Sequence, residues 1–329
     1  MGKGPLFVMH HGAGSSGLSF AVLSAEIRKR LPSAGILCPD ARGHGSTTTP
    51  TPATDADLSL PTLSGDLRAV IRLTQAQMGW PDLPPIVLVG HSLGGAVVTD
   101  VASAAGDGSL GSSLLGYAVL DVVEGSAIDA LQSMQTYLSG RPGRFASVEE
   151  GIEWHVRSRT VRNSVSARTS VPPLLVRDDE EEGKEEEYTI AEVGQEEGDA
   201  GEEKDEKPRR KGANLRPWRW RTDLGATQPF WEGWFVGLSK KFLGGKGGKM
   251  LLLAGTDRLD TELTIGQMQG RCGPLCMSQH IYISCSKNEA NGEELREIRA
   301  ASLSGGRPLH PRGPTRKDGH CARRLPPPE

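Results

Sequence analysis

Apolar positions along this chain recur with two alternating periods. "PLFVM" at residues 5–9 is a continuous apolar run that predicts a buried strand, ending at "HHGAGSS". Phe20, Leu23, Ile27 and Leu31 then fall at i, i+3, i+7 and i+11 and predict one face of a helix, followed by a short strand at "GILCPD". A Thr- and Pro-rich loop over 46–61 precedes a second helical face of Leu63, Leu67, Val70 and Ile71. The strand "PIVLVG", a helix opened by Gly94 and Gly95, and the strand "LLGYAVLD" ending at Asp121 continue the series. From about 122 to 243 the alternation lapses, although Trp234, Leu238 and Phe242 repeat at i, i+4 and i+8 and predict an aromatic helix. The sheet pattern resumes with "MLLLAGTD" at 250–257. Apolar strands alternating with amphipathic helices predict a parallel sheet covered on both faces, the α/β class.

Composition changes this picture mainly inside the lapse. The formal charge of −3 hides a run at 178–207 with sixteen Asp or Glu against three Lys, which predicts a solvated, disordered acidic loop within an insertion. The remaining +10 is diffuse and lacks a basic stripe interleaved with aromatics, so nucleic-acid binding is not expected. No apolar run approaches the ~18 residues of a membrane span, and no charged-then-apolar leader is readable. The expectation is an intracellular protein, cytoplasmic or nuclear. Five cysteines, an odd number, suggest free thiols rather than a disulfide framework.

The most informative stretch is "GHSLGG" at 90–95, a G-x-S-x-G match with an apolar strand before it and a helix after it. That context predicts a sharp turn exposing Ser92 as a nucleophile, with the Leu93 N–H at a helix N-terminus as an oxyanion donor. About eighty residues upstream, "HHGAG" follows a strand where hydrolases of this architecture supply the second donor, here the Ala13 N–H. His10 and His11 on this turn, and Arg42 and His44 in "DARGHGST", read as loop-bracing residues. Activating Ser92 requires a general base oriented by a carboxylate, and Asp121 and Asp257, each ending a strand, compete for that role.

Longer strings extend the match. "GHSLGGA", "LDVVEGSAIDALQSM" followed by "GRP" and "IEW", "WEGWFVGLSKKFL" and "LLLAGTDRLDTELTIGQMQG" resemble the protein phosphatase methylesterase family over roughly residues 4–270. The resemblance implies an α/β-hydrolase fold, 1–270, carrying a cap insertion at about 122–243. It also implies a serine carboxylesterase that needs no cofactor or metal and removes the methyl ester from the C-terminal leucine of the protein phosphatase 2A catalytic subunit. It selects Asp121 as the acid, and it assigns specificity to a cap around Trp231 and Trp234 and to a surface that recognises the phosphatase.

The chain departs from the family pattern at both ends. Met1 stands a few residues before the first strand, so the resemblance implies that one sheet edge is missing. After "QMQG" the family has a strand and a Gly-His pair, whereas this chain reads "RCGPLCMSQHIYISCSKNEANG", so 271–329 is expected to be an aberrant, disordered tail. His280 lies nearest the expected base, His320 has a preceding glycine in a Pro- and Arg-rich tail, and His310 is a weaker substitute. Cys272, Cys276, His280 and Cys285 do not have the spacing of a usual zinc site. Without a matched base, the alternatives are a non-catalytic phosphatase-binding pseudo-hydrolase or a general small-ester hydrolase.

Overall fold

The structure is a computed structural model that describes residues 4–49, 56–104, 110–178, 216–254, 260–269, 275–278 and 281–286. Its main sheet takes β1 (Leu6–His10), β2 (Gly35–Leu37), β3 (Ile86–His91), β4 (Leu114–Leu120), β8 (Gly248–Leu253), β9 (Leu275–Ser278) and β10 (Ile281–Ser286) in the order β2-β1-β3-β4-β8-β10-β9. The strands from β2 to β8 run parallel, while β10 is antiparallel to both β8 and β9. The α/β reading therefore holds.

Alternation along the strands assigns each side chain to one face. In β3, Ile86 and Leu88 enter the larger core cluster, whereas Val87 and Val89 pack on the opposite face with Met9, Phe20 and Ala118. The larger cluster is closed by α2 (Leu60–Gln77), α3 (Leu93–Ser103), α7 (Trp231–Phe235) and α8 (Leu238–Gly244). Leu63, Leu67 and Ile71 of α2 are buried as their spacing predicts, and α3, rich in Ala and Val, buries nine residues between sheet and helices.

The other face is covered more thinly, and two sequence expectations fail there. A short 3-10 turn, Gly17–Phe20, leads into α1 (Ala21–Arg30), which has no fully buried residue. Phe20 is buried and Ile27 packs beside it, but Leu23 and Leu31 are 40% and 46% exposed. Leu31 lies beyond the helix, where the backbone has left helical geometry.

The lapse in the pattern is a structured insertion. After α4 (Glu124–Gly140) comes a three-stranded antiparallel sheet, β5 (Arg144–Phe145), β7 (Trp218–Trp220) and β6 (Leu175–Arg177), joined by α5 (Val148–Arg157) and α6 (Ser164–Ser170). Phe145, Ala167, Val171 and Leu175 form its own core under Trp154 and Trp220. The acidic run lies outside the described residues from 179 onward.

The aromatic helix is broken in two. Gly237 takes a left-handed φ of 77° between α7 and α8, a conformation glycine adopts without steric cost. The Glu124 carboxylate then accepts from the Gly237 N–H at 2.9 Å and the Ser239 N–H at 3.2 Å, capping α8. Trp234, Leu238 and Phe242 still all face the core. Trp231 and Trp234 are not on a binding surface: both are buried there, their indole N–H groups donating to Thr227 Oγ1 and the Leu58 carbonyl at 2.7 Å.

After α9 (Thr261–Met268), where a structureless tail was expected, β9 and β10 extend the sheet, Tyr282 pairing with Leu253 and Ser286 with Lys249. "IYIS" is rich in β-branched and aromatic residues, which suits a strand against an open sheet edge.

Candidate active site

Three parallel strands end together at the site. His10 pairs with Gly90, and His91 with Leu120, so the residues after β1, β3 and β4 emerge side by side at the carboxyl edge of the sheet. Ligands bind at this edge in open α/β sheets.

Ser92 sits on the turn between β3 and α3 with φ 52° and ψ −121°, a conformation that costs a non-glycine residue on the order of 1–3 kcal/mol. The surroundings hold it there. Its N–H donates to the Leu120 carbonyl at 3.1 Å, and its own carbonyl accepts from the Gly95 N–H at 2.8 Å. A Cβ on Gly90 would overlap the Gly94 carbonyl, and one on Gly94 would overlap the His10 carbonyl, so both positions admit only hydrogen. The His10–Gly14 turn lies over the elbow: a Cβ on Gly12 would stand 3.2 Å from the Ser92 Cβ. Leu93 opens α3 directly behind the serine.

Asp121 follows β4, one residue beyond the Leu120 carbonyl that holds Ser92. It too has a positive φ, 54°. Its N–H donates to the Leu252 carbonyl at 2.7 Å and its Oδ1 accepts from the Ala254 N–H at 3.0 Å, anchoring the carboxylate to the end of β8. The structure thus brings Ser92, Leu93, Asp121 and the Ala13 turn to one edge. Asp257, His280, His310 and His320 lie outside the described residues, as does Cys272, while Cys276 and Cys285 fall within β9 and β10.

One neighbour was not singled out from the sequence. His91, the variable residue of the elbow, is exposed along one flank, yet its Nδ1 would meet a Gly12 Cβ at 3.1 Å. Burial lowers its pKa, and the nearby Asp121 charge partly opposes that. Its position inside G-x-S-x-G was the available signal.

The three other histidines of this region are buried beneath the turn. Burial pushes the His10 pKa down to about 4, His11 lies well below the ordinary imidazole value, and His44 is also lowered. The pH consequence has a definite sign. The folded protein resists protonation of these rings, whereas the unfolded chain takes up protons below about 6.5. Stability is therefore full above that pH and falls as pH drops toward 4, His10 alone contributing on the order of 3 kcal/mol. Urea midpoints measured at pH 7.5, 5.5 and 4.5 are expected to decline steadily; a flat series would refute the burial of neutral rings.

A cavity of about 490 Å³ opens elsewhere, among Leu18, Ser24, Cys38, Asp40, Pro173 and Arg221. It includes no residue of the elbow or of the His10–Gly14 turn.

The family model described as "Alpha/beta hydrolase family" matches residues 7–275. The chain belongs to the alpha/beta hydrolase family. Its curated relatives include proteins named Protein phosphatase methylesterase 1 from Gibberella zeae, 63% identical over 271 residues, and from Neurospora crassa, 63% identical over 285 residues. Each alignment covers 82% of this chain and 59% of the relative, so the chain spans under two thirds of their length. Among solved structures, E-2-(acetamidomethylene)succinate hydrolase superposes with a TM-score of 0.54 at 16% identity, covering 81% of this chain and 80% of that one. An M. tuberculosis esterase superposes at 0.50 with 18% identity, covering 82% and 74%. These two likenesses concern the alpha/beta hydrolase fold alone. Among the described residues no helix is long and apolar enough to cross a membrane.

Proposed function

We propose that this chain is a serine carboxylesterase of the phosphatase methylesterase type, acting on the methyl-esterified C-terminal leucine of the protein phosphatase 2A catalytic subunit. The observation that carries the reading is the strained Ser92 elbow, with Asp121 at the next strand end, in a chain 63% identical to two proteins of that name. Ser92 attacks the ester carbonyl as a base takes its proton, and the Ala13 and Leu93 N–H groups stabilise the tetrahedral oxyanion. Methanol leaves with that proton, water cleaves the acyl-enzyme, and the free carboxylate and Ser92 hydroxyl are regenerated. Asp121 fixes the tautomer of the base, which we assign to His280. Its proposed setting is the cytoplasm or nucleus, and recognition of so small an ester rests on contact with the whole phosphatase.

The test is methanol release from the methylated phosphatase together with fluorophosphonate labelling of Ser92. Turnover that favours the phosphatase over simple acyl esters supports the reading, and equal turnover of both points to a general esterase. Phosphatase binding without hydrolysis or labelling favours the non-catalytic alternative, which rests on the unmatched Gly-His pair.

A further inference from the structure

We propose that His44 and His11 are positioning residues for the oxyanion turn, two neutral imidazoles whose hydrogen bonds hold the Gly12–Ala13–Gly14 backbone in place, and that protonation of His44 releases it. This rests on the reading of the Ala13 N–H as an oxyanion donor.

The partners of each ring dictate its tautomer. His44 Nδ1 lies 2.9 Å from the Arg42 carbonyl, which only accepts, so that nitrogen carries the proton. The Gly14 N–H, which only donates, lies 2.9 Å from His44 Nε2, so that nitrogen presents its lone pair. His11 repeats the pattern: Nδ1–H donates to the Gly12 carbonyl at 2.8 Å, and Nε2 accepts from the Ala41 N–H at 2.9 Å. His10 Nδ1–H donates to the His11 carbonyl at 3.0 Å. The His10 and His11 rings stack at 5.5 Å, and His11 meets His44 at 5.1 Å.

These bonds fall on the two peptides that flank Ala13. The Gly12 carbonyl, held by His11 Nδ1–H and by the Ser15 N–H at 3.1 Å, belongs to the same planar unit as the Ala13 N–H. In a trans peptide the N–H points opposite the carbonyl, so anchoring one aims the other. A hydrogen bond accepted by the carbonyl also polarises the peptide and makes its N–H a better donor. On the other side, His44 clamps the next N–H, that of Gly14, where φ is 71° and Leu224 packs against the glycine. His44 and the Ala41 N–H both belong to the loop after β2, so the two imidazoles brace the turn against that loop.

A proton on His44 Nε2 would place two donors face to face at Gly14 and break the clamp. The charged and titratable groups facing the network are Asp40 and Arg42 on the same loop, Asp66 on α2 paired with Arg42, His10 and His11 on the turn, and His91 at the elbow. Asp40 favours protonation of His44, and burial opposes it more strongly. Asp66 is held by Arg42 Nε at 2.5 Å.

Nitrogen-15 NMR of the whole Ser92→Ala chain tests this without reference to turnover. The expected result is an Nδ1–H tautomer for His11 and His44, with the Ala13 and Gly14 amide signals shifting at the same midpoint as the His44 ring in an acid titration. In His44→Gln those amide shifts should disappear, because the carboxamide oxygen accepts from Gly14 and does not titrate. Either an Nε2–H tautomer or stationary amides during ring titration overturns the proposal, whatever the chain hydrolyses. In the Ser92-containing chain, His44→Phe is expected to lower kcat at least about tenfold with KM unchanged, approaching the loss of one oxyanion donor. His44→Gln should restore most of that loss and remove the His44 inflection from the acid limb. An unaffected kcat in a folded His44→Phe variant would also overturn it, while labelling of Ser92 in the same sample would leave the elbow assignment standing.

Discussion

Ser92→Ala is expected to remove ester hydrolysis and fluorophosphonate labelling together, with kcat falling by about 10⁴-fold or more, the scale set by loss of a serine nucleophile in triad hydrolases. The substitution deletes only Oγ. Alanine has the same Cβ, the left-handed backbone at φ 52° is held by bonds from main-chain atoms, and the Ala13 and Leu93 N–H groups are untouched. The fold should therefore persist, with an unchanged circular dichroism spectrum and urea midpoint. Methanol release measured beside probe labelling separates the cases. Activity within tenfold of the parent would mean that another group attacks the ester.

Gly94→Ala should instead destroy the site by preventing its assembly. The added methyl carbon would stand 2.0 Å from the His10 carbonyl oxygen and 2.7 Å from that of His11, far inside van der Waals contact with backbone atoms that cannot rotate aside. Relief requires separating α3 from the end of β1, which opens the core around Leu93, Val97 and Leu88. The cost is expected to exceed about 3 kcal/mol, overriding the ~1 kcal/mol that alanine normally gains over glycine in a helix. Equilibrium urea unfolding reads this directly. Gly65→Ala, on α2 with no atom within 4 Å of the new Cβ, is the matched control and should be neutral or slightly stabilising. Equal midpoints for the two variants would disprove the close approach at the elbow.

Different residues show different degrees of legibility in the sequence. The elbow was readable because the motif is local: strand, G-x-S-x-G and helix all lie within about eighteen residues, and Gly90 is demanded by the Gly94 carbonyl of the same segment, whereas the need for glycine at 94 comes from the distant His10 and His11 carbonyls. Leu23 and Leu31 carried the right spacing and yet remain exposed, because periodicity records a face without saying how much protein covers it. The break at Gly237 follows from the Glu124 carboxylate, which lies more than a hundred residues away in sequence and supplies the cap for a new helix start. Trp231 and Trp234, which the resemblance put in a cap around the site, are core, the setting that a Trp-rich amphipathic pattern more often has.

By itself the sequence determined the α/β alternation, the strand-turn-helix that exposes Ser92, and the presence of carboxylates at strand ends. These follow from side-chain period and from a motif whose residues lie close together in the chain. Tertiary structure alone decided that Asp121 reaches the end of β8, that the insertion folds into its own three-stranded sheet, and that the loop-bracing His11 and His44 accept from the Ala41 and Gly14 N–H groups respectively. Those outcomes depend on which main-chain donors and acceptors from distant segments meet in a space without water. No spacing along the chain records that.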